Sequence, residues 1–132
     1  MKLIPLLIFS LLLAACASSP KALRKVSFSG DYIDTRKDIT VKAVPTYRAP
    51  LRVPAYVRAR NWNDSVVVAF MVEADGRTSE VQIVSTDDDE LAEAVRESVS
   101  VWRYAPPMKN GKPVRVVVQE TVGWRPQFPL EP

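Results

Sequence analysis

Eleven prolines are spread through this 132-residue chain, yet none falls between Ala55 and Ala105. A proline removes a backbone donor and fixes φ, so the uninterrupted helix and strand of the fold belong in that window. Ser65 to Ala74 opens it with a β-branched and aromatic run. Val66, Val68, Phe70 and Val72 share one face, and Val67, Ala69 and Met71 share the other. Both faces are apolar, as in a strand with neighbours on either side.

Asp75-Gly76 follows directly and predicts a type I′ hairpin turn, because both residues tolerate positive φ. The chain then returns through Arg77 to Ser85, with Val81 and Ile83 inward and Glu80 and Gln82 outward. A helix comes next, capped by Asp87 with Glu90 three residues on. The acidic run Asp87 to Glu90 suits the positive end of its dipole. Leu91, Val95, Ser98, Val99 and Trp102 fall at helical spacing and form its buried stripe. Tyr104 to Pro107 ends the helix and Asn110-Gly111 turns the chain. Val114 to Val122 reads as the last strand, with Val114, Val116, Val118 and Val122 on one face. Glu120 interrupts that face, which implies either fraying or a bulge.

A hairpin followed by a helix and a strand is most simply closed by crossing one face of the sheet and returning beside the first strand. The expectation is an α+β fold of β-β-α-β order. Its three-stranded antiparallel sheet runs second, first, third, with one main helix packed on one face. The last strand then lies at an edge, with half of its backbone unpaired.

The N-terminus carries a different signal. Lys2 precedes an apolar run from Leu3 to Leu13, followed by Ala14, Ala15 and the sole cysteine, Cys16. The run is too short to span a membrane and has the order of a secretory signal over residues 1–15. Leu13-Ala14-Ala15-Cys16 resembles the lipobox of bacterial lipoproteins. That resemblance implies cleavage before Cys16 and acylation of its sulfur and amine. Three chains at about 0.8 kcal/mol per buried CH₂ anchor a protein where one does not. Ala17 and Ser18 replace the aspartate that marks inner-membrane retention, so the outer membrane is the expected site, facing the periplasm. Residues 16–53 read as the lipidated end and a flexible linker, able to reach about 120 Å stretched or about 35 Å as a coil. Ile39 to Val44 alternates weakly and is the one piece of it that could add to a sheet edge. The domain is expected at 54–124, with a tail at 125–132.

The chemistry available is narrow. There is no histidine, which removes the usual general base near neutral pH and the commonest metal ligand. One cysteine allows neither an internal disulfide nor a thiolate metal site. No enzyme activity, cofactor, metal or nucleic-acid partner is expected, the net charge being only +3. Asp87, Asp88, Asp89 and Glu90 lack the glycine and spacing of a calcium loop and read as a helix start. Ser98 has no base to activate it and reads as a packing residue bonded to a carbonyl one turn back. Lys112 lacks a glycine-rich approach and suggests no phosphate loop. Arg58, Arg60, Arg103 and Arg115 are dispersed, as on a solvated surface. Trp102 lies on the helical stripe, whereas Trp62 and Trp124 flank strands and suit a cover for the open face.

A series of pieces in order resembles the C-terminal domain of the TonB family. They are Pro54-Ala55-Tyr56, Val66 to Val72 with Asp75-Gly76-Arg77, Val81 to Ser85, Leu91 to Val95, Trp102 to Pro106, and Gly111 to Val114 leading into the last strand. The resemblance implies a periplasmic module that adds a short extended segment, such as the TonB box of an outer-membrane receptor, to its sheet edge. The edge would be Val114, Arg115, Val116, Val117, Val118, Gln119, Glu120, Thr121 and Val122, with Arg115, Val117, Gln119 and Thr121 facing or flanking the guest. Arg115, Gln119 and Glu120 fit a solubilising edge equally well. The family's energy transducers carry a membrane helix with a functional histidine, so no coupling to a proton gradient is expected of this chain itself. The alternative is a structural envelope lipoprotein or homodimer scaffold without receptor coupling. The docking reading requires the outer edge of the last strand to be open; coverage from within the same chain, for example by the piece around Ile39 to Val44, would remove it.

Overall fold

The computed structural model describes residues 23–60 and 65–123. The expected signal segment 1–15, Cys16, Trp62, Trp124 and the expected tail 125–132 lie outside the described residues. The elements in order are β1 (Ile33–Asp34), β2 (Pro45–Tyr47), α1 (Ala55–Arg60), β3 (Ser65–Val72), β4 (Thr78–Ser85) and α2 (Asp89–Ser100). They continue as β5 (Arg103–Tyr104), β6 (Met108–Lys109), β7 (Lys112–Pro113) and β8 (Val116–Gly123).

The main sheet has the order β1-β8-β3-β4. Its three long strands are antiparallel and arranged second, first, third, the α+β arrangement that the sequence predicts. β3 and β8 pair along their whole length in one register, from Ser65 opposite Gly123 to Val72 opposite Val116. Glu120 therefore neither frays nor bulges the strand. It stays in the ladder opposite Val68, and Arg48 neutralises it at 3.1 Å. The irregularity lies instead between β3 and β4, where the register shifts and Glu80 takes φ 49°.

Apolar alternation places the core between α2 and one face of the sheet. Val66, Val68, Phe70 and Val72 of β3 meet Leu91, Val95 and Val99 of α2, and Val116 and Val118 join from β8. Trp102, past the end of the helix, stacks edge-on against Phe70 with centroids 6.0 Å apart. Such a pair contributes packing beyond its buried area.

Four local expectations are corrected. The hairpin after β3 is not type I′: only Gly76 has positive φ (87°), and the Gly76 N–H donates to the Glu73 carbonyl while Glu73 N–H donates to Arg77. That is a longer loop ending in a left-handed glycine. A Cβ on Gly76 would lie 2.1 Å from the Tyr104 carbonyl oxygen, so the loop also seats β5. The helix is capped one residue later than expected, by Asp88, whose side chain accepts from the Glu90 and Leu91 N–H groups. Ser98 bonds not to its own helix but to the Ala49 carbonyl, at 2.7 Å. The last strand begins at Val116 rather than Val114, because Lys112-Pro113 is used in a small hairpin. Asn110 and Gly111, both at positive φ, turn that hairpin as the dipeptide predicts.

The largest correction concerns the linker. Over residues 24–53 the chain is packed onto the domain, with Val41 only 4% exposed in the core. Ile39 to Val44 forms no strand; Ile39 itself is 81% exposed. The segment that reaches the sheet edge is Ile33–Asp34, which lacks the alternation sought in the sequence.

Candidate strand-docking edge

Continuous pairing with β3 makes the backbone of β8 alternate strictly: even-numbered residues turn their N–H and C=O toward β3, and odd-numbered residues turn theirs outward. The outward groups begin with the carbonyls of Arg115 and Val117, and these are occupied. β1 runs parallel to β8 with Ile33 opposite Val116 and Asp34 opposite Val117. The Ile33 N–H donates to Arg115 O at 2.9 Å, and Thr35 donates both its N–H (3.1 Å) and its hydroxyl (2.7 Å) to Val117 O. After Thr35 the chain turns away, Lys37 and Asp38 N–H both donating to Asp34 O.

Beyond that point the edge is open among the described residues. No described backbone group pairs with the outward side of Gln119, Thr121 or Gly123. Side-chain burial changes at the same place: Val116, Val117 and Val118 are buried, whereas Gln119, Thr121 and Gly123 are exposed. Of the nine residues expected to form the docking edge, Val114 to Val117 are engaged within the chain or covered by it. Val118 looks into the core side, and Gln119, Glu120, Thr121 and Val122 lie along the open part. The expected exposed edge is thus shortened to its second half, because Ile33 and Asp34 of the presumed linker supply a strand.

Around the open edge, Arg36 bridges the Asp34 carboxylate at 2.7 Å and reaches Gln119 Oε1 at 3.5 Å. The Arg36 hydrogen bonds hold the Asp34 carboxyl below the usual carboxylate range. On the core side a shallow hollow of about 380 Å³ is lined by Thr35, Ile39, Val41, Val44, Pro45 and Val118, among others. Nearby, the exposed Arg48 lies over the Trp102 ring at 4.9 Å and pairs with Glu120. Tyr104, 4% exposed, has its hydroxyl buried without a hydrogen-bond partner among the described residues, and burial pushes its pKa up to about 12. None of these groups forms a nucleophile with a base. Among the described residues no cluster of three or more His, Cys, Asp or Glu could hold a metal ion.

Arg115 does not face an incoming strand as the resemblance implies. It is the hub of a clasp on the face opposite α2. Its Nε donates to Glu73 Oε2 at 2.6 Å, Nη1 to the carbonyls of Ser29 and Asp31, and Nη2 to Glu73 Oε1 and Glu80 Oε2. All five guanidinium donors are thereby used. The Arg115 hydrogen bonds lower the pKa of Glu73, so the clasp is charged at neutral pH. Arg103, by contrast, has an exposed side chain, whose guanidinium donates to the Trp102 carbonyl next to it. Asp34, Thr35 and Glu73 are the site residues that the sequence reading missed. The available signal was Gly30, the only glycine ahead of Gly76, which takes φ 71° where the segment bends under Arg115.

The fold is thus a three-stranded antiparallel core sheet with one long helix on one face and a strand edge left partly open. Residues 49–126 match the family described as Gram-negative bacterial TonB protein C-terminal. The chain belongs to that family. Among solved structures it is similar to the solution structure of the Pseudomonas aeruginosa TonB C-terminal domain. The two are 25% identical, with 64% of this chain and 87% of that one covered and a TM-score of 0.47. No curated protein matches the chain. No helix among the described residues is long and apolar enough to cross a membrane.

Proposed function

We propose that this chain is a non-catalytic interaction module of TonB type, anchored by lipid at Cys16 and facing the periplasm from the outer membrane. It takes an extended segment of an outer-membrane receptor onto β8. The family membership supports the module. The observation that carries the docking site is the open half of β8 at Gln119, Thr121 and Gly123, whose outward amides and carbonyls have no described partner. Main-chain hydrogen bonds would supply affinity there, and the alternate side chains of the guest would meet the Val44–Val118 hollow on one side and Gln119 on the other.

Because the interaction is with the backbone, two substitutions at one position test it. Thr121→Ala keeps the outward N–H and should retain capture of receptor N-terminal segments. Thr121→Pro removes that N–H, at an edge position where proline leaves the β3 ladder intact, and should lower affinity about tenfold or more. Equal capture by both variants would move the site elsewhere; self-association lost only in Thr121→Pro would instead assign the edge to a homodimer. The anchor is tested separately. Metabolic labelling with palmitate should mark the chain, and Cys16→Ser should abolish the label and release the protein from membranes.

A further inference from the structure

The covered half of β8 is closed by a segment held by local polar contacts together with the half-buried apolar side chains Val26, Phe28 and Ile33. Residues 24–35 cross the sheet face opposite α2, with polar contacts at intervals along the way. Arg24 N–H donates to the Val84 carbonyl at the β4 edge (2.7 Å), and Gln82 exchanges hydrogen bonds with the Ser27 backbone. The Ser29 N–H donates to Glu80, and Arg115 holds the Ser29 and Asp31 carbonyls. Only then does the segment reach β8, where it offers two N–H groups and one hydroxyl. Along this path Arg24, Ser27, Ser29, Gly30, Asp31 and Tyr32 are exposed, and Val26, Phe28 and Ile33 are half-buried.

A guest strand running the length of β8 would meet outward groups at Arg115, Val117, Gln119, Thr121 and Gly123. The internal strand meets the first two. It is therefore a short occupant of a longer edge, paired parallel to β8.

We propose that Ile33-Asp34-Thr35 is an internal gate strand. It occupies the first half of the docking edge, and a guest longer than the open half must displace it, with Arg115 as the pin that holds the gate closed. The inference rests on the reading of β8 as the docking strand. It makes the apparent affinity for a guest smaller than the intrinsic one by the fraction of molecules whose gate is open.

The probe is a labelled peptide of residues 29–38, the one strand already seen to fit this edge. The full chain carrying Cys16→Ser is prepared in three forms. The released form has Ile33→Pro and Thr35→Pro, which remove both donated N–H groups. The locked form has Asp34→Cys and Val117→Cys, residues directly opposite in the ladder, oxidised to a disulfide. The third retains the native gate. Binding is followed through the backbone amide resonances of Gln119 and Thr121, which are native in all three forms and respond even to weak association. The released form should bind the peptide about tenfold or more tightly than the native gate, the scale set by two or three hydrogen bonds. The locked form should not bind until reduced, and that recovery shows that it is folded.

Equal affinity in all three forms, or no binding to the released form, overturns the gate. The receptor reading fails separately: peptide affinities that rank as expected, with no receptor segment captured by the released form, remove the receptor and leave the gate. Receptor segments captured equally by locked and native forms remove the gate and leave the receptor.

Discussion

The two faces of the β3–β8 sheet are both closed to water, by opposite means. On the α2 side Phe70, Val68, Val95, Val99 and Trp102 interlock as a continuous apolar core. On the other side Ala69, Met71 and Val117 are equally buried, yet the chain that crosses that face is tied down by Gln82, Glu80 and the saturated guanidinium of Arg115. Apolar burial is spread over many contacts and is lost only when the domain unfolds. A polar clasp is local and exchanges with water at small net cost per bond. The polar covering is the one expected to leave without unfolding the domain, and it is the one that runs onto β8.

Four changes probe that contrast, from the largest expected effect to the smallest. Phe70→Ala removes a fully buried ring from the helix-side core and should cost about 3–5 kcal/mol, read as a lower midpoint in urea unfolding. Ser98→Ala strikes the polar seam between α2 and the 41–53 segment. It takes away the donor to Ala49 and the acceptor of the Trp102 indole N–H, and should cost about 1–2 kcal/mol by the same measurement. Arg115→Ala acts on the other face and should barely move the unfolding midpoint. Its effect should appear in hydrogen exchange, faster at the Ile33 and Thr35 amides and unchanged at those of β3. If β3 exchange rises in step, the segment and the sheet open as one unit and the contrast between faces fails.

The smallest effect is a pH dependence. Glu73 has a folded-state pKa below its ordinary value, so its contribution is fully present above the unfolded-state pKa and is lost as pH falls through the folded one. The clasp should therefore be intact at neutral pH and loosen only on acidification to below the ordinary range of a glutamate carboxyl. The Ser29 and Ile33 amide resonances should report a titration in that range, and Glu73→Gln should abolish it. A midpoint near neutrality would assign the clasp to some other group.

Much of the domain could be read from residue order. The double-sided apolar run of Ser65–Val72 required neighbours on both sides, and β8 and β4 are those neighbours. Leu91, Val95 and Val99 at helical spacing marked the packed face of α2, and Asn110-Gly111 marked a turn whose positive φ values only such residues adopt readily. The misreadings share a cause. Asp87 and Asp88 are chemically equivalent caps, and the choice between them depends on where the chain leaves β4. Glu120 looked out of place in a valine strand because its counter-ion, Arg48, is 72 residues away. Arg115 looked like an edge residue because Glu73, Glu80 and the Ser29 carbonyl come from three separate stretches of chain.

The extent of the open edge was the least legible feature. Alternation drew attention to Ile39–Val44, and the occupant proved to be Ile33–Asp34, a pair with no strand pattern of its own. Period and turn chemistry are local properties, and they were enough to specify the helix, the three long strands and their order. A two-residue strand held by backbone bonds has no local signature, since every residue but proline carries the same donor and acceptor. Its position depends on where Arg115, Glu80 and Gln82 hold the preceding segment, and that geometry exists only once the sheet has formed.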